Sequence, residues 1–451
     1  MKKAILLFLS GVLLFVHASS TPLPDNSALD DFPAGNYQAA DSSYLALFRA
    51  QLGPAFLNYG SGRLGILHSL GEDRFVAGPG AMGWEPVEVD IELVRNAEGE
   101  VQGLIYIDST GASHRYTRQP LPGAFDVSIP HESIVLAATL TLPAGKGPFP
   151  ALVMNHGGGP GLRQDLRLWT YFFSLLGYAV LTYDKRGCGE TIGADWETFE
   201  DLADDTVAAT QWLKRHPAID SKRTGIWAYS QSGWIVSLAA RREPVSFVLA
   251  VSAPALSPAG RALASVRPRL LADGYSPSEV EAASEFIAAV NAFGRNDLSW
   301  DEYERLLNQA RQARWYDRVE KPTSEDAPST SFYKSGYGRY FDPLPFWSSL
   351  GIPVLAIYGG LDTTVPAEAN ASLLSQAMVS NPNSTVLVFP NANHQMLRAR
   401  TGGDDELIDL NHYVAGYFKI MKWFMQDVLT RPRENAGARV SSGGRSGLGR
   451  S

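Results

Sequence analysis

A chain of 451 residues with 45% hydrophobic side chains, 19% charged side chains and a net charge of −8 is long and apolar enough to bury a large core in two or three folding units, with the composition of an ordinary globular protein. It contains no long basic run, and its aromatics are not interleaved with Lys or Arg, so nothing resembles a surface that tracks phosphates and nucleic acid is not expected as a partner. Cys188 is the only cysteine, which excludes an intrachain disulfide. It also lacks the strand-to-helix turn that exposes a nucleophile, so a structural role is expected for it.

Lys2-Lys3, the apolar stretch from Ala4 to Val16 and the small residues around Val16-His17-Ala18 predict a cleavable secretory signal over 1–18 and a periplasmic or secreted mature protein. The apolar run is shorter than the ~20 residues of a spanning helix, so no stable membrane anchor is expected after cleavage. A Pro/Ser/Asp-rich lead follows, then a glycine-rich stretch with strand signals in Phe75-Val76-Ala77, in 87–93 and in 104–107. The middle run has clean period-2 alternation, and Asn96-Ala97-Glu98-Gly99-Glu100 reads as a hairpin loop beyond it. Together these predict a small N-terminal β-rich domain within 19–124.

From Phe125 strands alternate with helices, as in a mostly parallel sheet built from βαβ units. Strands are expected over 135–142, 151–155, 178–183, 224–228, 247–251, 354–358 and 385–389, and helices over 165–176, 199–216, 233–242 and 413–429. Between about 257 and 347 the alternation stops. Helical, charged stretches at 278–293 and 300–318 predict an inserted helical cap. Its aromatics, among them Trp300, Trp315, Tyr316, Phe332, Tyr333, Tyr337, Tyr340 and Phe341, would line an apolar site or fill the cap's own core. The Gly/Ser/Arg-rich stretch 431–451 is expected to be disordered.

The chemistry lies at strand ends. In Gly225-Ile226-Trp227-Ala228-Tyr229-Ser230-Gln231-Ser232-Gly233-Trp234 a strand meets a helix through a tight turn of small residues with Ser230 at its apex, the layout of a nucleophile elbow. Ala228 and Ser232 stand where glycines usual for that turn would be, and Gly233 comes one place late. Ser232 is a rival nucleophile, but it would put Trp234 where bulk blocks the strand–helix contact; a plain helix-capping role for Ser230 is the bland alternative. Upstream, the predicted strand 151–155 runs into His156-Gly157-Gly158-Gly159-Pro160-Gly161. Backbone N–H groups there, on Gly157 or Gly158, together with that of Gln231, would stabilise an oxyanion. A phosphate-binding loop would need spacings that are absent.

Downstream, a buried strand ends in Gly359-Gly360-Leu361-Asp362, and another delivers Pro390-Asn391-Ala392-Asn393-His394. Asp362 would orient His394, and His394 would act as the base for Ser230. His412 is the competing base, and an ordinary helix-capping role is the alternative for Asp362. No His and carboxylate group has metal-ligand spacing, so neither metal nor cofactor is expected.

Ser, Asp and His in that chain order, each past a strand, resemble the α/β-hydrolase superfamily over about 125–429. Within it the chain is similar to bacterial secreted esterases and serine aminopeptidase-like hydrolases. The matching segments are His156-Gly157-Gly158-Gly159-Pro160 with Arg163, Tyr183-Asp184-Lys185-Arg186-Gly187-Cys188-Gly189, and Ser230-Gln231-Ser232-Gly233-Trp234. The resemblance implies an α/β-hydrolase fold and a structural role for Asp184, Lys185 and Arg186 beside the oxyanion loop. It also implies cleavage of a small ester through an acyl-enzyme. A peptidase acting on short peptides and a non-catalytic ligand-binding protein on the same scaffold are the alternatives. The front region, at roughly 100 residues, is too short for a multi-bladed propeller.

Overall fold

The computed structural model describes residues 32–50, 52–193, 198–325, 334 and 338–430, and the backbone of 4–8 and 13–17. Within the expected signal segment, β1 (Ala4–Phe8) pairs antiparallel with β2 (Leu13–His17). The tail expected to be disordered, 431–451, lies outside the described residues, as do Phe332, Tyr333 and Tyr337.

The front of the chain folds into one antiparallel sheet of nine strands. They are β3 (Gly35–Ala39), β4 (Tyr44–Ala50), β5 (Gly53–Asn58), β6 (Leu64–Ile66), β7 (His68–Ser69), β8 (Arg74–Ala77), β9 (Val89–Arg95), β10 (Val101–Ile107) and β11 (Ser113–Arg118). The spatial order is β6-β5-β4-β3-β11-β10-β9-β8-β7. Only three of these strands, β8 to β10, carry a readable sequence signal. Strand β4 shows why. Leu45 and Leu47 point into the front sheet's own core, while Ala46 and Phe48 point into a core shared with the rest of the molecule. A strand buried on both faces has no polar alternation to read.

The second sheet has eight strands: β12 (Gly123–His131), β13 (Ile134–Leu142), β14 (Phe149–Asn155), β15 (Ala179–Tyr183), β16 (Ile219–Tyr229), β17 (Val248–Val251), β18 (Val354–Gly359) and β19 (Ser384–Phe389). Their order is β12-β13-β15-β14-β16-β17-β18-β19. The first two pairings are antiparallel and all the others parallel. Strands β15, β17 and β18 are buried throughout, as parallel strands covered on both faces must be.

Helices α1 (Arg167–Leu175) and α9 (Tyr417–Thr430) cover one face, packing Trp169, Phe172, Phe418 and Met421 against Met154, Trp227 and Ile357. Helices α2 (Phe199–Arg215), α3 (Ser232–Arg242), α7 (Leu344–Ser348) and α8 (Ala367–Ala377) cover the other. The front sheet docks over α1 and α9: Tyr59 packs on Phe172 and Phe418, and the N–H of Tyr413 donates to the carbonyl of Gly62.

Between β17 and β18 stand α4 (Pro258–Ala272), α5 (Pro277–Gly294) and α6 (Trp300–Ala310), which share a core of their own. Ser276 with Glu279 and Ser299 with Glu302 form capping boxes that start α5 and α6. The helix expected over 300–318 stops at Ala310, and a turn brings Trp315 back against Phe286, with ring centroids 5.6 Å apart. Trp300, Trp315 and Tyr316 belong to this cap core, and Phe341 packs on Phe199 of α2 and Phe346 of α7. The helix expected over 413–429 begins at Tyr417, because the backbone at Tyr413 and Val414 is already bonded to Gly62 and Met396.

Candidate active site

Four strand ends converge. Strand β16 ends at Tyr229 and α3 begins at Ser232, leaving Ser230 in a left-handed turn at φ 53°. A non-glycine residue pays for that conformation, and this one is held by the Ser230 N–H donating to Val251 O at 2.9 Å and the Gly233 N–H donating to Ser230 O at 2.8 Å. The displaced glycine has a steric reason. A Cβ on Gly233 would lie 2.6 Å from the Ala253 Cβ and 2.9 Å from its Cα, so α3 packs against the segment just past β17 only if this position is bare. Position 232 carries no such demand: Ser232 is fully buried, its Oγ accepting from Tyr229 N at 2.6 Å and donating to Tyr229 O at 2.8 Å.

The structure brings the three predicted side chains together. His394 Nε2 lies 2.9 Å from Ser230 Oγ, and His394 Nδ1 lies 2.7 Å from Asp362 Oδ2. Asp362 is 3% exposed, and its Oδ1 accepts the N–H groups of Thr364 at 2.8 Å and Val365 at 2.7 Å. Those bonds suit a carboxylate that only accepts, so the proton between Asp362 and His394 belongs on Nδ1 and leaves Nε2 as an acceptor for the serine hydroxyl.

Two residues that sequence reasoning did not single out steady the histidine. Ser252 Oγ and the Tyr229 hydroxyl both donate to His394 O, at 2.9 and 3.3 Å, and the Tyr229 ring lies 5.4 Å from the imidazole. Ser252 follows a buried strand outside any motif and Tyr229 fills an unspecified position of the elbow, so only the packed sheet reveals their contact with His394. His412 is elsewhere. Arg63 bridges to its backbone, its ring meets Asn411 Oδ1 at 2.6 Å, and burial holds its pKa at about 4.

The glycine loop closes the fourth side. A Cβ on Gly157 would lie 3.4 Å from the Ser230 Cβ, and one on Gly158 would lie 3.9 Å from the Gln231 Cβ, so the loop faces the elbow directly. Among the described residues no acceptor takes the N–H of Gly157, Gly158 or Gln231.

Residues 152–401, more than half of the chain, match the alpha/beta hydrolase family. The chain belongs to that family. The esterase EstD of Thermotoga maritima is 26% identical to it over 321 residues, 69% of each chain. Among solved structures, an esterase of Pyrococcus furiosus superimposes with a TM-score of 0.44 at 18% identity, over 68% of this chain and 91% of that one. An acylaminoacyl peptidase of Pyrococcus horikoshii gives 0.42 at 14% identity, over 92% of this chain and 58% of that one.

In this hydrolase the charged segment after β15 anchors the glycine loop. Lys185 is 3% exposed and its Nζ donates to Gly159 O at 3.0 Å, to Gly157 O at 3.3 Å and to Gln231 Oε1 at 2.8 Å. Burial lowers its pKa to about 8. Its neighbours are neutralised by partners: Asp184 by Arg163 at 2.7 Å, and Arg186 by two bonds to Asp205, both 2.7 Å. His156 is buried, donates Nε2–H to Tyr183 O at 2.8 Å and has its pKa lowered to about 4 by burial, so it stands neutral beneath the loop. Cys188 is partly exposed. Among the described residues no group of three His, Cys, Asp or Glu side chains is placed to hold a metal.

Proposed function

We propose that this protein is a serine hydrolase that cleaves carboxylic esters of small molecules through an acyl-enzyme. The observation that carries the reading is the relay in which one imidazole reaches Asp362 at 2.7 Å and Ser230 at 2.9 Å, with the serine raised on a left-handed turn. His394 takes the proton of Ser230 as the hydroxyl attacks the ester carbonyl, and the buried Asp362 carboxylate stabilises the imidazolium that forms. The N–H of Gln231 and that of Gly157 or Gly158 bond the developing oxyanion, in a loop that Lys185 keeps in place. Collapse expels the alcohol with the proton from His394, and a water activated by the same base releases the acid. No cofactor enters the proposal. Export is part of it, on the strength of the N-terminal pattern, and predicts a mature chain that starts just after Ala18.

The experiment compares p-nitrophenyl esters of short acids with aminoacyl p-nitroanilides on one preparation of the full chain. Ester turnover exceeding anilide turnover, and lost in Ser230→Ala, supports the proposal. Preferential anilide turnover moves the reading to a peptidase, and no turnover of either by folded protein moves it to a binding protein on the same scaffold.

A further inference from the structure

A cleft of about 700 Å³ lies away from the triad, where the front sheet meets α1 and the edge of the second sheet. Its volume falls within the ~300–1,000 Å³ of small-molecule sites. Arg118, the last residue of β11, enters from the front sheet, and Arg167 and Tyr171, four apart on one face of α1, enter from the other side. Thr141 on β13 and Thr182 on β15 supply hydroxyls, and Phe32 and Leu121 form an apolar wall.

The cations of this cleft are used unequally. At its rim Arg163 is satisfied, paired with Asp184 at 2.7 Å and Glu190 at 2.6 Å. The Arg118 guanidinium makes one bond, from Nη2 to Ala34 O at 3.2 Å, and its buried Nε has no acceptor among the described residues. The Arg167 guanidinium makes no hydrogen bond or ion pair with the described residues, and neither does the Tyr171 hydroxyl. Both guanidiniums act on that phenol, opposing the rise in its pKa that burial causes. The cleft's other carboxylate, Asp126, is exposed and lies 3.9 Å from Arg163. Partly desolvated guanidiniums with no ion-pair partner among the described residues are costly, and two of them beside an idle phenol make a fork for a planar anion.

We propose that this cleft is a second ligand site, for a hydroxylated organic carboxylate of sugar-acid type. Arg118 and Arg167 hold the carboxylate, the Tyr171, Thr141 and Thr182 hydroxyls meet those of the ring, and Phe32 with Leu121 covers its C–H face. An inorganic phosphate would engage the arginines and leave the threonines and the apolar wall unused. The site uses no residue of the triad, so it stands or falls separately from the esterase reading.

The test is calorimetric titration of the full chain with glucuronate, glucose and inorganic phosphate. Glucuronate should bind saturably and glucose, which lacks the carboxylate, at least about ten-fold more weakly. Arg167→Gln and Arg118→Gln should each weaken glucuronate by about ten-fold or more, the loss of one charge-assisted hydrogen bond. Ser230→Ala should bind as the unaltered protein does. The Arg167 side chain supports no other bond among the described residues, so its variant is expected to keep the fold, which circular dichroism checks. Absence of saturable glucuronate binding, an unchanged affinity in Arg167→Gln, or phosphate binding as tight as glucuronate would each overturn the proposal.

Discussion

Ser232 Oγ clamps the main chain of Tyr229, accepting its N–H at 2.6 Å and donating to its carbonyl at 2.8 Å. The second serine of the elbow is thereby spent on the turn that raises the first. Ser232→Ala should leave the Tyr229 N–H without its acceptor in a buried turn, at a cost of about 1–3 kcal/mol. Thermal denaturation should show a lower Tm, while ester turnover per folded molecule stays within a few-fold of the original. Loss of turnover as complete as in Ser230→Ala would contradict the assignment of roles.

Gly233→Ala is predicted to be worse than its size suggests. The new Cβ meets Ala253 Cβ at 2.6 Å, Ala253 Cα at 2.9 Å and Pro254 Cδ at 3.0 Å, so main chain must shift to admit it. A stability loss of about 1–3 kcal/mol should accompany a fall in kcat, because the helix that follows the Gln231 N–H is pushed off the segment past β17. Chemical denaturation and steady-state kinetics on the same sample check both.

Lys185→Met removes the donor that ties Gly157 O, Gly159 O and Gln231 Oε1 together. The side chain touches no reacting atom, so this is a positioning residue, and kcat should fall by about ten-fold or more with KM little changed. In the unaltered protein kcat should also decline as pH rises through about 8, where Lys185 loses its proton. The sign of the stability effect separates the two. A lysine whose pKa drops on folding penalises the fold below about 8, and that penalty is relieved between 8 and its ordinary 10.5. Activity lost in that window is therefore not unfolding, and Lys185→Met should lack the alkaline limb.

Acid acts through His156. Its pKa is about 4 in the fold and 6.5 ordinarily, so the unfolded chain binds the extra proton first as pH falls. Stability from this buried group is full above 6.5 and drains away between 6.5 and 4, by up to about 3 kcal/mol. Urea midpoints taken from pH 7 to pH 4 should fall, and fall less steeply in His156→Gln, which keeps a donor near Tyr183 O.

The site and seven strands of the second sheet were legible because their signals are local; β12, a largely exposed edge strand, has no buried apolar run to read. Buried runs such as Val354 to Tyr358 mark strands, and Ser230, Asp362 and His394 each follow one. The front sheet was only partly legible, because β4 and β5 feed two cores and lose their alternation. Ser252 and Tyr229 escaped notice for another reason, whereas the place of Lys185 beside the glycine loop is as the resemblance implied. Their partners are distant in sequence, 142 residues for Ser252 to His394 and 165 for Tyr229 to His394, and only the folded sheet brings them close. For the cap aromatics an apolar site and the cap's own core were both open on sequence, since spacing alone does not say which face of a helix meets α5, and Trp300, Trp315 and Tyr316 fill the core.

The measurement that bears most directly on the mechanism is covalent labelling of the full chain with a fluorophosphonate, followed by peptide mass analysis. The account predicts one adduct, on Ser230, formed in step with loss of ester turnover and absent from Ser230→Ala. An adduct on Ser232 or on any other residue, or undiminished turnover in Ser230→Ala, would contradict it.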